Sequence, residues 1–399
     1  MPSQGELCAE PRDGHNGCMR GVYLDINGST PVHPEVLDAY VDSIRATCGN
    51  ASASHPAGLA AAEQIAKARA AVARGLGCHA DEVWFTSGGT ESNNWALKGL
   101  FTGGRSGHIV TSAIEHKSVL RTAESLAQAG AGLTVVAVGA SGRVDGSDIE
   151  RALRPDTRVV SLMVANNETG VLQPVREVAQ LCRQRGVFLH CDAVAAAGKV
   201  SLDVRELGCD LLSISGHKLY APKGCGVLFV RRGVELAPLI DGCGQQCGMR
   251  SGTENTPAVA ALGTAFELLA RGAFDAVRSP ELRDRLWSGI REIEPRALRN
   301  GDGPWLANTL SVTFPGFLGA ELQRALGALG IHCAAGAAAT GGSPSHVLMA
   351  MGKGETHARS TLRFSLGVST TAAEIERTLA ALRSVLAPAP STPLQETLA

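Results

Sequence analysis

Asp210-Leu-Leu-Ser-Ile-Ser215-Gly216-His217-Lys218 decides how the whole chain is read. Leu211–Ser215 is a buried-strand pattern, too short for a helix, and it stops abruptly at polar groups before Leu219-Tyr220-Ala-Pro-Lys-Gly. Other short apolar runs share this character: Glu82–Thr86, Gly107–Thr111, Leu133–Val138, Val159–Val164, Val187–Cys191 and Gly226–Val230. Helical stretches lie between them, among them Ser92–Gly99, Lys117–Ala129, Val175–Arg185 and Thr256–Arg271. Strands spaced by helices predict an α/β fold with a mainly parallel, seven-stranded sheet covered on both faces. From about Ala273 the pattern changes to longer helices with a few strands, such as Thr309–Phe314 and Thr361–Phe364, which predicts a smaller α+β domain. The expected division is a flexible 1–21, a large domain 22–270, a small domain 271–390 and a flexible tail 391–399. The segment 22–35 is a candidate for packing against the small domain.

Composition narrows the function classes. The chain has 399 residues with 37 basic and 38 acidic side chains, a formal net charge of −1. That balance supplies no attraction for nucleic acid or an anionic membrane surface. No apolar run approaches the roughly 18 residues of a membrane span, and the polar start of the chain lacks the apolar core of a signal peptide. Eleven scattered cysteines read as reduced thiols, which points to the cytoplasm. The tight pair Cys243-x-x-x-Cys247 has neither a second pair nor neighbouring histidines, so it reads as buried or incidental thiols and no metal is expected. Gly242-x-Gly244 with Gly248 spaces its third glycine wrongly for a dinucleotide fingerprint.

In an open α/β sheet, ligands bind beyond the carboxyl ends of the strands. Polar clusters follow five of the predicted strands: Thr86-Ser-Gly-Gly-Thr90-Glu91-Ser-Asn-Asn, Ser112-Ala-Ile-Glu-His116, Asn166-Asn167-Glu168, Asp192, and Ser215 with His217 and Lys218. A lysine just past a buried strand suits a Schiff base with pyridoxal phosphate, because a buried amine loses its proton readily; a solvated lysine is the ordinary alternative. Gly88-Gly89-Thr90 offers free backbone N–H groups to a phosphate, or else is an ordinary capped helix start. Ser215 and His217 could add donors to the same phosphate. Asp192 either keeps a pyridine nitrogen protonated or caps the next turn. His116 either stacks on a cofactor ring and handles protons or is a satisfied strand-end histidine. Arg363, in Ser360-Thr-Leu-Arg-Phe-Ser, either grips a substrate carboxylate or forms a surface ion pair.

Taken together these motifs resemble the cysteine desulfurase and selenocysteine lyase family, in the class V aminotransferase group with the type I pyridoxal-phosphate fold. The resemblance runs from Tyr23-Leu-Asp-Ile-Asn27-Gly-Ser-Thr to the last helices. It includes Gly49-Asn50, Ser54-His-Pro-Ala-Gly58, Ile114-Glu-His116, Ala165-Asn-Asn-Glu-Thr-Gly170, Ser213–Gly224, Arg250-Ser-Gly-Thr253-Glu-Asn255 and Leu362-Arg363. It implies Lys218 as the Schiff-base residue, Asp192 on the pyridine nitrogen and His116 on the ring. It implies Gly89, Thr90, Ser215 and His217 around the phosphate, with Thr253 reaching it from a second subunit of a homodimer. It implies Asn167 near the cofactor's ring hydroxyl or the substrate, and Asn27 and Arg363 at the substrate, an amino acid such as L-cysteine, selenocysteine or a related one.

Two positions depart from the family pattern. The family's nucleophilic cysteine stands on a loop of the form Gly-(Ser/Ala)-Ala-Cys, where this chain reads Gly336-Ala-Ala-Ala339 ahead of Ser343-Pro-Ser-His346-Val-Leu. The family's glutamine three residues after the aspartate is Ala195 here. An alanine side chain has no lone pair, so no persulfide can form at position 339. Three readings follow: an engineered Cys→Ala form of an ordinary desulfurase, which would imply a sulfur-acceptor protein; a natural divergent lyase, decarboxylase or bond-forming enzyme; or a catalytically idle scaffold. Cys333 and Cys247 are candidate substitute thiols, with simple packing as the alternative for each.

Overall fold

The computed structural model describes residues 21–102, 106–336 and 343–387. Position 339 and, Gly21 apart, both expected flexible ends lie outside the described residues. The first strands in chain order are β1 (Val22–Tyr23), β2 (Val83–Thr86), β3 (His108–Ser112), β4 (Gly132–Val136), β5 (Thr157–Ser161), β6 (Phe188–Asp192), β7 (Leu211–Ser215) and β8 (Gly226–Val230). Seven of them form one sheet in the order β2-β8-β7-β6-β5-β3-β4. From β7 through β4 every pairing is parallel, whereas β8 runs antiparallel to both its neighbours. The link 216–225 is too short for the crossover that a parallel β7–β8 pair would need.

Alternation along each strand divides the core in two. Val110, Val160, Leu189, Leu212 and Val227 pack on one face, while Ile109, Val159, Leu211 and Leu228 pack on the other. Both faces are therefore dry, which is why these strands read as continuous apolar runs.

The later strands are β9 (Leu298–Arg299), β10 (Thr309–Thr313), β11 (Ile331–His332), β12 (Ala334–Ala335) and β13 (Thr361–Ser365). Four of these form an antiparallel sheet in the order β12-β13-β10-β9. Leu310, Val312, Leu362 and Phe364 from it share a separate core with Leu286, Ile290, Leu379 and Leu382. β1 pairs in parallel with β11, and Val22 and Leu24 join this second core. The described residues thus start in the small sheet's core and then cross to the large sheet, passing the site on the way.

The first four long helices are α1 (Pro34–Ala46), α2 (Pro56–Leu76), α3 (Gly89–Phe101) and α4 (Lys117–Gln128), of which the last two border the site. α3 follows β2 through Gly88, whose φ of +149° suits glycine. The fit is close: a Cβ on Gly226 would stand 2.5 Å from the Gly88 Cα.

Candidate active site

A cavity of about 440 Å³ opens where β2, β3, β6 and β7 end, and it is lined by Asn27, Gly89, Thr90, His116, Asn167, Asp192, Ser215, His217 and Lys218. Nine of the residues expected at the site therefore converge on one hollow. At its edge α3 starts with no side chain capping it, so the N–H groups of its first turn face the hollow at the positive end of the helix. A Cβ on Gly89 would meet Val194 Cγ2 at 2.5 Å, so the close approach of backbone here requires glycine.

Lys218 follows β7 in a single 3₁₀ turn, Gly216–Lys218. Its amine donates to the carbonyls of Asn27 and Gly28, the latter at 2.7 Å. Burial, followed by the positive Arg363 nearby, pushes its pKa down to about 8. Such an amine is neutral often enough near physiological pH to attack a carbonyl. His217 is pushed down to about 4, first by burial and then by Lys218, and its Nδ1 lies 3.3 Å from Ser29 Oγ.

Asp192 is 4% exposed and pairs with no cation among the described residues. Its Oδ1 accepts from Val194 N at 2.9 Å and its Oδ2 from Asn93 Nδ2 at 2.7 Å. The same Asn93 amide donates to Ser118 Oγ at 2.8 Å, and Ser118 Oγ lies 2.7 Å from His116 Nδ1. Asn93 Oδ1, also in the cavity wall, is buried without a partner.

Arg363 stands behind Asn167 rather than on the cavity wall. Nη1 donates to the Asn167 carbonyl at 2.9 Å and Nη2 to Asp25 Oδ1 at 2.5 Å. The expected alternative of a surface ion pair is corrected in kind: the pair exists, but the arginine side chain is only 12% exposed. Asn27 Nδ2 donates to Thr309 Oγ1 at 2.9 Å and to the Asn167 carbonyl at 3.3 Å, leaving Oδ1 buried and unpartnered. Thr253 is exposed and does not line the cavity of its own chain.

Several residues at the site escaped the sequence reading. Asn93 sits inside the quoted motif, one turn beyond Gly89, and Ser118 stands two residues after His116; helical spacing was the available signal for both. Asp25 had none, because its partner is 338 positions away. Lys199, 4% exposed, donates to the Ala195 carbonyl at 2.8 Å, and burial pushes its pKa down to about 7. The pair Cys243 and Cys247 is exposed, not buried as one sequence reading had it.

The family described as Aminotransferase class-V matches residues 22–378. The chain belongs to that family. Among its relatives, a protein named cysteine desulfurase IscS from Methanosarcina thermophila is 40% identical over 365 residues, covering 90% of each chain. A cysteine desulfurase from Mus musculus is 41% identical over 369 residues, 90% of this chain and 80% of its own. Two solved structures are close in shape. A NifS-like protein superposes with a TM-score of 0.86 at 36% identity, covering 92% of this chain and 99% of its own. A structure titled SspA in complex with cysteine gives 0.79 at 35% identity, covering 88% and 100%.

This class V aminotransferase is therefore of the cysteine desulfurase type, a pyridoxal-phosphate family with the type I α/β fold. Its own residues fit that cofactor. The uncapped helix start and its glycine cradle suit a phosphate, Asp192 suits a ring N–H, and the Lys218 amine suits the aldehyde. Ala195, which lines the cavity, brings no polar group where the family pattern has a glutamine.

Proposed function

We propose that this protein is a pyridoxal-phosphate enzyme acting on a sulfur- or selenium-bearing amino acid of the cysteine class, with no persulfide formed at position 339. The observation that carries the reading is a lysine amine with a pKa of about 8 in the same cavity as Asp192, His116 and an uncapped helix start. The bound cofactor would supply an electron sink for the pair released when the Cα–H bond breaks. Gly89, Thr90, Ser215 and His217 would hold the phosphate, and Asp192 would accept a hydrogen bond from the protonated ring nitrogen. Lys218, freed from the Asn27 and Gly28 carbonyls, takes the Cα proton. Arg363 and Asn167 orient the substrate carboxylate, and Asn27 closes that side. The cysteine seen bound in SspA supports the substrate class.

A homodimer with shared sites belongs to this reading, since Thr253 is exposed and outside its own cavity, as a residue serving a partner's phosphate would be. The nine cysteines among the described residues are free thiols, in keeping with a reducing compartment. The boundary near 270 between large and small domains is likewise proposed, supported by the separate core around β10 and β13, while Phe274, Val277, Leu306, Val347, Leu348, Met351 and Ala358 beyond it pack into the large sheet's core.

The first test is spectral: added cofactor gives the protein a visible band, and Lys218→Ala abolishes it. A colourless protein after incubation with the cofactor defeats the reading. The second is product analysis with L-cysteine. Direct elimination consumes water and yields pyruvate, ammonia and sulfide, the sulfur leaving with the C–S bond pair. Alanine with sulfide, in the presence of an added thiol reductant, indicates desulfuration through another thiol. An engineered desulfurase remains the second reading, favoured by the single-atom difference between Ala339 and cysteine; Ala339→Cys then creates alanine-forming activity. Against it stands Ala195, which a change aimed at the nucleophile leaves unexplained.

A further inference from the structure

We infer that Asn93 and Ser118 are positioning residues that lock His116 in one neutral tautomer, protonated on Nε2, so that it meets the substrate as a hydrogen-bond donor and not as a base. The catalytic meaning of this inference rests on the function proposed above; its hydrogen-bond logic does not.

The logic starts from a donor count. The Asn93 amide nitrogen has two hydrogens. One goes to Asp192 Oδ2 at 2.7 Å and the other to Ser118 Oγ at 2.8 Å. Turning the amide over would set its oxygen against the Asp192 carboxylate, so the orientation is fixed by charge. Ser118 Oγ therefore accepts, and its single hydrogen remains for His116 Nδ1, 2.7 Å away. His116 is also the N-cap of α4, and its Nδ1 accepts from Ser118 N at 3.1 Å. Two donors converge on Nδ1, which must then keep its lone pair and leave the ring proton on Nε2.

The same arrangement opposes the imidazolium. Charging the ring would drive a third hydrogen at Nδ1 against both donors, at the positive end of a helix. Burial opposes the cation first; of the titratable neighbours, Asp192 favours it, and Lys218, His346 and Lys117 oppose it. With Nδ1 occupied and Nε2 protonated, His116 has no free lone pair for the Cα proton, which falls to Lys218.

Nitrogen NMR on the holoenzyme labelled with ring-¹⁵N histidine tests this, with His116→Gln identifying the signal. The expected result near neutral pH is an Nε2–H to Nδ1–H ratio of about tenfold or more, as ordinary hydrogen bonds would impose. A dominant Nδ1–H form, or a doubly protonated ring, overturns the inference. Asn93→Asp replaces the donor with an acceptor, draws the Ser118 hydrogen away and is expected to shift the ratio about tenfold toward Nδ1–H. Ser118→Ala is expected to shift it partway, and Ser118→Thr, which keeps the hydroxyl, to restore it. An unchanged ratio in both Asn93→Asp and Ser118→Ala overturns the positioning role. The visible band of the same wild-type sample separates the two readings. A missing band with Nε2–H intact defeats the cofactor reading and upholds the lock, whereas a normal band with Nδ1–H does the reverse.

Discussion

Glu115, the neighbour of His116 in the chain, is a buried acid far from its ordinary titration range. It is fully buried between Ser112 and the Met163 N–H, and loss of water pushes its pKa up to about 8 from 4.5. Between those two values the folded protein keeps a proton that the unfolded chain has released. This contribution to stability is thus fully present below pH 4.5 and is lost as pH rises through 8, with a slope of at most about 1.4 kcal/mol per pH unit. Glu115→Gln is expected to flatten that slope relative to the wild type when urea midpoints are compared across the interval; parallel curves would mean that the acid is ionised in the fold. Cys333 gives a second prediction at this scale. Burial pushes its thiol up to about 12, so it holds almost no thiolate near neutral pH. In native protein, iodoacetamide followed by mass spectrometry is expected to label the exposed Cys48 at least about tenfold faster than Cys333. Equal rates would revive Cys333 as a stand-in for the missing nucleophile.

At the scale of elements, punctuation was what the sequence made legible. The strands Leu211–Ser215 and Gly226–Val230 and the helix Val175–Arg185 stand at the residues read for them, because an apolar run and a terminating glycine or polar cluster bound each one. α3 begins at Gly89, three residues before the expected Ser92, since apolar periodicity cannot register a helix turn made of glycine and polar residues. The polar strand ends were legible as a site for the same reason that they were legible as boundaries. The Asn93–Ser118–His116 chain was not, because it depends on α3 and α4 packing against each other. The helix start itself carries a prediction. Gly89→Ala pushes a methyl to 2.5 Å from Val194 Cγ2, and a stiff β-branched neighbour cannot retreat without moving the turn after Asp192. Cofactor affinity, read by fluorescence titration of the apoprotein, is expected to fall about tenfold, the scale of a lost helix-terminus contact with a phosphate. Gly89→Ala with Val194→Ala is expected to regain most of it; no recovery would place the loss in the backbone conformation instead.

Across the whole molecule, the cavity lies at the ends of the large sheet's strands, with the small sheet's Arg363 just behind its wall. Lys218 belongs to the end of β7, Arg363 to β13, and the turn at Asp25–Gly28 touches both. Asp25 holds one end of the guanidinium while the carbonyls of Asn27 and Gly28 hold the amine, so one short segment supplies a resting partner to each cation. An amino-acid substrate would replace these partners at each end, its carboxylate at Arg363 and its amine near Lys218. Arg363 Nε is buried without a partner, which leaves one donor of the fork ready for an incoming oxygen. Arg363→Lys keeps the charge and loses the fork. Titration with L-cysteine, followed by the change in the visible band, is expected to need roughly 10- to 100-fold more ligand, the worth of a charge-assisted bidentate contact. Cysteamine, which has the amine and thiol but no carboxylate, is expected to bind wild type and Arg363→Lys alike. If the substitution weakens both ligands equally, Arg363 supports the packing between the sheets and does not read the carboxylate.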